Sequence, residues 1–165
     1  MTKIRRYIND EYIYFLTHVT YKRRHILVKH FDLLMESLIT YQKKEKYELM
    51  SWVVLPDHMH LLIKLCDSRL PELMRKIKLS FSMKLRKRLQ QRAGRIWQYR
   101  YWDHVIRDQK DLNTHIDYIH YNPVKHALAR NPFNWKYSSI AEYKDVYSND
   151  WGVKEVVIDR GNFGE

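Results

Sequence analysis

The sequence is organised around eight residues, Pro56-Asp57-His58-Met59-His60-Leu61-Leu62-Ile63. Successive side chains of a β-strand point to opposite faces. His58 and His60 would therefore share one face, while the apolar residues at 59, 61 and 63 would point into a core on the other. Two imidazoles side by side on a rigid strand can hold one divalent metal ion. The alternative interpretation is two polar residues on a half-solvated strand.

Apolar periodicity on both sides of this stretch predicts the order strand, helix, strand, strand, helix, strand, helix. A split βαββαβ antiparallel sheet with helices on one face satisfies this order with right-handed crossovers. The expected class is therefore α+β. Predicted strands cover 12–20, 47–55, 58–65 and part of 97–107, and predicted helices cover 31–46, 69–92 and 111–121.

The chain of 165 residues predicts a single domain, with a core over about 12–130 and a C-terminal extension over 131–165. The sequence of the extension predicts a packed tail with a short helix. In its last fifteen residues the only predicted element is a strand over 153–158. Pro123 disfavours the α conformation at Asn122, so we expect Asn122 to cap a further short helix that begins at Pro123.

Charge is the unusual feature of the composition. Lys and Arg total 30 against 19 Asp and Glu, a net charge of +11, which indicates a polyanionic partner, nucleic acid first. An anionic membrane surface is the rival, but no apolar stretch approaches the ~20 residues that span a bilayer. The start has no apolar signal region, and Cys66 is the single cysteine, so we expect no disulfide and a cytoplasmic protein.

A second group of polar residues lies at 115–123. Tyr118 and Asn122 are four residues apart, so they share a helix face. Taken singly, such a Tyr is usually a boundary residue and such an Asn a cap. Together with the histidine pair, they form a set in which two imidazoles and an amide oxygen hold an ion that keeps open positions for a phosphate. A nearby Tyr hydroxyl could then attack phosphorus and form a covalent phosphotyrosine.

These motifs resemble those of a known family. Residues 56–62 resemble the HUH motif (His, hydrophobic, His) of single-tyrosine transposases, and residues 117–126 resemble the signature of the REP-associated tyrosine transposases. Further similarity covers 52–55, 97–107 and 135–139, within a span of about 12–143. The resemblance implies a ferredoxin-like HUH endonuclease fold. It also implies sequence-specific cleavage and strand transfer of single-stranded DNA near short palindromic hairpins.

The same resemblance implies residue roles. Tyr118 matches the nucleophile that forms a 5′-phosphotyrosine, and His58 and His60 match metal ligands. Asn122 matches the third ligand, which is Gln in many relatives. The implied ion is Mg²⁺ or Mn²⁺, of which manganese accepts imidazole more easily. Relatives include monomers and homodimers, so both states stay open.

Several neighbouring positions carry weaker expectations. Ala127 stands where the family often has Gly, so the turn there could differ. Tyr121 is a spare candidate nucleophile, ranked below Tyr118 because it does not share the face of Asn122. Asp103, His104 and His126 could assist proton transfer, although satisfied structural histidines are common.

Aromatic residues alternate with lysine and arginine at 21–24 and 99–102, a pattern that suits binding of single-stranded DNA. The alternatives are a solvated face for the helix over 69–92 and core packing for 97–102. A catalytically silent, domesticated single-stranded nucleic-acid-binding protein and a metal-dependent phosphodiesterase are the competing functions. The predicted DNA-binding residues are Arg23, Arg24, Arg75, Lys78, Arg100 and Lys125.

Overall fold

A computed structural model describes residues 12–65, 69–148, 150–153 and 162–164. Short 3₁₀ helices lie at Tyr21–Arg23, Val28–His30, Pro132–Asn134 and Ser139–Tyr143. The main elements are β1 (Tyr12–Val19), α1 (Phe31–Glu45), β2 (Glu48–Val54), β3 (His58–Leu65), α2 (Leu70–Arg88), β4 (Trp102–Val105) and α3 (Gln109–Lys125).

The four strands form one sheet in the order β2-β3-β1-β4, and every neighbouring pair is antiparallel. This is the split βαββαβ arrangement, so the predicted class and the predicted order of elements are confirmed. The β1 strand lies in the interior of the sheet, which explains its uninterrupted aromatic and β-branched sequence.

The sheet carries helices on both faces. Helices α1 and α2 pack with the side chains of Leu16, Met59 and Leu61 in one core. Tyr118 and Ile119 of α3 pack on the opposite face, in a second core. The prediction of helices on one face is therefore wrong for α3. The second face of β1 and β3 carries apolar residues such as Phe15 and Leu62 beside its polar ones, so it too requires cover from water.

Helix α3 is continuous through Pro123, so the predicted break and the Asn122 cap are wrong. An interior proline usually costs about 3 kcal/mol because it removes a hydrogen bond and crowds the preceding turn. Pro123 lies only two residues before the helix ends, and the His126 amide still donates to the Asn122 carbonyl at 3.0 Å. Burial of the turn around Pro123 opposes the remaining cost.

Other boundaries differ by a few residues. Helix α2 ends at Arg88 rather than at residue 92, and Gln90 beyond it has a φ of 54°. The C-terminal extension packs on β2, where the Tyr143 hydroxyl donates to the Met50 carbonyl at 2.6 Å. Most of the predicted strand at 153–158 lies outside the described residues, as does Cys66. Within the described ranges, every helix is too short or too polar to cross a bilayer.

Candidate active site on the α3 face of the sheet

His58 and His60 lie side by side on β3 and face α3. Their ring centroids are 5.2 Å apart, and their residues are 2 % and 0 % exposed. Alternation along β3 places Met59 and Leu61 in the opposite core, as predicted. Buried imidazoles cost free energy unless they are hydrogen-bonded, so the partners of these two rings determine which nitrogen of each is available.

The hydrogen bond of His58 fixes its tautomer. Its Nδ1 lies 2.7 Å from Oδ1 of Asp57. Burial raises the pKa of Asp57, but hydrogen bonds and charge from His58 and Arg23 outweigh it and lower that pKa below its ordinary value. The carboxylate can therefore only accept a hydrogen bond, so His58 Nδ1 donates.

His60 has the same tautomer for a different reason. Its Nδ1 lies 2.8 Å from Oγ1 of Thr17, whose single hydroxyl proton is donated to the Phe163 carbonyl at 2.6 Å. His60 Nδ1 must therefore be the donor. In both histidines Nε2 is then the nitrogen that would take a metal ion, an arrangement typical of metal-binding histidines with an outer hydrogen-bond partner.

Helix α3 and its C-cap residue present Tyr118, Asn122 and His126 at intervals of four residues, so they lie on one face. The Tyr118 ring centroid is 5.3 Å from that of His60, and the His126 ring centroid is 4.9 Å from that of His58. Asn122 lies between these two contacts and is 0 % exposed. Two imidazole nitrogens and one amide oxygen are a donor set of the kind that would suit a divalent transition metal.

The candidate nucleophile Tyr118 is 3 % exposed and lies between two covering residues. Nζ of Lys125 donates to Oη of Tyr118 at 2.9 Å and lies 4.9 Å from the ring centroid. Phe163 stacks on the phenol ring with centroids 3.7 Å apart and planes at 13°. An ammonium group at this distance stabilises negative charge on the phenol oxygen.

Sequence reasoning missed three of these contacts. Asp57 directly precedes His58, and that adjacency is the signal that its carboxylate can reach the ring. Thr17 and Phe163 are 146 residues apart, and no local pattern indicates that they meet. Lys125 was predicted to bind DNA; its position seven residues after Tyr118, two helical turns along the same face, was the available signal.

A second polar cluster joins β4 to the start of α3. Nε2 of His104 lies 2.9 Å from Oδ2 of Asp111, and the His115 ring stacks on the His104 ring with centroids 4.8 Å apart. Burial raises the pKa of Asp111, but hydrogen bonds from His104 and Arg107 dominate and lower it to about 2. The ligand atoms of His104, Asp111 and His115 lie within 4.8 Å of one another, which is close enough for a metal ion.

The remaining candidates for proton transfer and attack are placed as follows. The ring of Phe15 separates His115 from His60, with centroid distances of 4.7 and 5.4 Å. Tyr121 packs toward Trp151 of the C-terminal extension, at 6.4 Å between centroids. Asp103 is exposed on β4. Of the proton-transfer candidates, His126 is the one in ring contact with His58.

The predicted DNA-binding residues do not form one patch. Arg23 bonds Asp57 at 3.1 Å, next to the histidine pair, and Arg24 donates to the Arg95 carbonyl at 2.8 Å. Arg75 and Lys78 line a cavity on the α2 side of the sheet. Arg100 is exposed and lies in the chain between Tyr99 and Tyr101, two other residues that line this cavity. Trp97, by contrast, is a core residue, as the alternative interpretation held.

Comparisons with known proteins agree on one family. The family model for IS200-like transposases matches residues 4–122. A REP-associated tyrosine transposase of Escherichia coli is 32 % identical over 158 residues, 92 % of this chain and 91 % of that protein. A Haemophilus influenzae protein, provisionally given the same family name, is 39 % identical over 118 residues, 64 % of this chain and 67 % of that protein. A solved REP-associated tyrosine transposase bound to a REP hairpin superposes with a TM-score of 0.82 and 30 % identity, over 100 % of this chain and 98 % of that one.

Proposed function

The chain belongs to the IS200-like transposase family, among the REP-associated tyrosine transposases, and on that premise we propose that it is a metal-dependent single-stranded DNA endonuclease and strand transferase. Its substrate is DNA that carries a short palindromic hairpin. The related structure solved with a REP hairpin and the net charge of +11 support this substrate class. The observation that carries the proposal is the packing of the Tyr118 ring 5.3 Å from the ring of His60.

His58 and His60, through Nε2, and Asn122, through its amide oxygen, are the residues that would hold the divalent ion. Magnesium and manganese are the candidates, and two imidazole ligands favour manganese. When bound, the ion supplies Lewis-acid chemistry at the non-bridging oxygens of a phosphate. The hydrogen bonds that the two Nδ1 atoms donate to Asp57 and Thr17 support this assignment, because they hold both rings in the ligating tautomer.

Tyr118 is the nucleophile. Its Oη forms a bond to phosphorus while the bond from phosphorus to the 3′ oxygen breaks, which leaves a 5′-phosphotyrosine and a free 3′ hydroxyl. The proton that the phenol loses is balanced by the proton that the departing 3′ oxygen takes up. Lys125, 2.9 Å from Oη, stabilises the charge that develops on the phenol oxygen. Because the phosphotyrosine bond conserves the energy of the phosphodiester, the strand can be rejoined elsewhere.

A second candidate function is binding of single-stranded DNA without cleavage, by a domesticated relative. The cover over Tyr118 favours it, since Phe163 stacks directly on the phenol ring and leaves the residue 3 % exposed. DNA can pack against that face of the phenol only after this contact opens. The two candidates therefore differ in whether DNA displaces Phe163.

The test uses an oligonucleotide hairpin with single-stranded flanks, incubated with the purified protein and Mn²⁺ and analysed on a denaturing gel and by mass spectrometry. We expect a covalent protein–DNA adduct that is lost in Tyr118→Phe and when EDTA is added. Tyr121→Phe is the matched control, because Tyr121 lies on the same helix and packs toward Trp151. It should cleave like the unmodified protein.

Three other outcomes would contradict the proposal in distinct ways. Cleavage that is unchanged in Tyr118→Phe would rule out this nucleophile. Tight binding that ignores EDTA, with no cutting of any hairpin, would favour the silent binding protein. Turnover without a covalent adduct would instead indicate a metal-dependent phosphodiesterase.

A further inference from the structure

His18 is a buried polar residue that the candidate active site does not use. It lies two residues after Leu16 on β1, so it faces α2 rather than α3, and it is 1 % exposed. Among the described residues neither of its ring nitrogens has a hydrogen-bond partner, and the same is true of Nε1 of the neighbouring Trp97. Buried polar atoms are normally bonded, and each exception costs roughly 1–3 kcal/mol. Three such atoms in one place require an explanation.

These atoms lie behind a cavity of about 360 Å³ between α2 and the segment 97–101. Three aromatic rings line it, from Trp97, Tyr99 and Tyr101. The His18 ring lies 4.6 Å from Tyr101 and 6.2 Å from Trp97 between centroids, so it lies directly behind two of these rings. Cavities of this size are at the lower end of the range that binds small ligands.

Two cations complete the cavity. Arg75 and Lys78 line its α2 side, and Nζ of Lys78 lies 5.7 Å from the ring centroid of Tyr101 and 6.0 Å from that of Trp97. Burial, followed by the charge of Lys78, lowers the pKa of His18, so its ring is neutral and offers one donor and one acceptor. Cations, flat aromatic faces and a donor–acceptor pair are together the groups that recognise a nucleotide.

We propose that this cavity binds one unstacked nucleotide of a DNA strand. The base stacks on Tyr99 and Tyr101, and its phosphate contacts Arg75 and Lys78. His18 and Nε1 of Trp97 lie behind these rings, so the polar edge of the base reaches them only when Trp97 and Tyr101 shift as the base enters. The cavity lies on the face of the sheet opposite Tyr118, so it grips DNA away from the scissile phosphate. This inference rests on the proposed function, because it assumes a DNA substrate.

The decisive variants are at Tyr99, which is 83 % exposed and can be changed without disturbing the core. The measurement is the Kd for a hairpin oligonucleotide that carries 2-aminopurine at each unpaired position in turn. Tyr99→Ala should weaken binding by roughly 5- to 100-fold, because base–aromatic stacking is worth about 1–3 kcal/mol per base. Tyr99→Phe keeps the ring and should bind like the unmodified protein. One 2-aminopurine position should be quenched in every variant except Tyr99→Ala.

Charge is tested on α2 with a matched pair. Lys78→Ala should lower the slope of log Kd against log salt by about one, as expected when one phosphate contact is lost. Lys87→Ala removes the same charge from an exposed position of the same helix and should change the slope less. Because Lys78 is half-buried, thermal melting of each variant checks that Lys78→Ala remains folded.

Binding by Tyr99→Ala within twofold of the unmodified protein, with no quenched position, would overturn the inference. If that variant also cleaves through Tyr118 at the normal rate, the proposed function stands and only the cavity assignment fails. If the unmodified protein binds no hairpin or single-stranded oligonucleotide at any salt concentration, both proposals fail together.

Discussion

The two faces of the sheet are built from the same strands but have opposite character. On the α1/α2 face, Met59 and Leu61 of β3 join a continuous apolar core. On the α3 face, their neighbours His58 and His60 are equally buried but polar. A single strand therefore separates packing from chemistry by alternation alone.

The difference teaches where preorganisation comes from. An apolar face is stabilised by burial itself, whereas buried polar groups cost free energy unless each is bonded. On the α3 face the bonds come from three different parts of the chain: Asp57 precedes β3, Thr17 lies on β1, and Phe163 belongs to the C-terminal extension. The site is consequently held by few, specific contacts, and single substitutions should separate its function from its stability.

The largest expected contrast is between two adjacent residues of β3. His60→Ala should reduce hairpin cleavage by more than about 100-fold, since even outer partners of metal ligands contribute 10- to 100-fold. Leu61→Ala should instead destabilise the fold by about 2–5 kcal/mol, the usual cost of truncating a buried leucine. Cleavage rates at low temperature and urea unfolding distinguish the two effects. If His60→Ala unfolded as easily as Leu61→Ala while cleaving normally, the division between the faces would be wrong.

Acid should expose the cost of buried polar groups on the α3 face. His120 is 0 % exposed, with its ring nitrogens bonded to Ser51, Ser139 and Tyr147, and burial lowers its pKa to about 3. The unfolded chain, with a pKa near 6.5, binds the proton more readily. The contribution of His120 to the free energy of unfolding is therefore fully present above about pH 6.5. It falls toward pH 3 by roughly 1.4 kcal/mol per pH unit.

Urea unfolding at pH 7.0, 5.5 and 4.5 measures that slope. His120→Gln should flatten it, and His25→Gln, at an exposed position, should leave it unchanged. Burial also lowers the pKa values of His18 and His115, so a residual slope is expected in His120→Gln. An unchanged slope in His120→Gln would show that another group governs acid sensitivity.

The tail contact yields a smaller effect. Phe163→Ala removes the ring that covers Tyr118, and aromatic pairs contribute about 0.5–1.5 kcal/mol beyond burial. Single-turnover cleavage should therefore accelerate by about two- to tenfold if the stack must open before attack. The backbone carbonyl that accepts from Thr17 is retained in this variant. Asn162→Ala is the control, and a rate below that of the unmodified protein would indicate that Phe163 supports the site instead.

Local patterns predicted the parts of the fold that depend on period. Alternation placed His58 and His60 on one face, and four-residue spacing put Tyr118 and Asn122 together, so both halves of the candidate site follow from the sequence. Two expectations failed because packing overrode local preference. The helix continues through Pro123, which is buried together with Asn122. Helix α3 covers the second face, where Phe15 of β1 requires cover from water.

The remaining features depend on contacts between distant residues. The cover by Phe163 joins the last residues of the chain to β1 and α3, and no periodicity encodes that meeting. Likewise, the orphan nitrogens of His18 become notable only once Trp97 and Tyr101 pack around them. The family resemblance indicated which residues form the candidate site, whereas the structure shows which side chains contact them.

The smallest expected effect lies where α3 ends beside the site. Ala127 has a φ of 55°, in the left-handed region that favours glycine, which gives a physical reason for the glycine that the family often carries there. Relief of that strain, about 1–2 kcal/mol, is partly offset by the entropy that glycine adds to the unfolded chain. Ala127→Gly should therefore stabilise the fold by roughly 0.5 kcal/mol in urea unfolding. Ala129→Gly, which has no positive φ to relieve, should destabilise it.

His126 packs on His58 one residue before this turn. Unchanged cleavage in Ala127→Gly would therefore mean that the strained backbone at Ala127 has no part in positioning His126. A loss of cleavage in that variant would assign the strained turn to the positioning of His126 against the histidine pair.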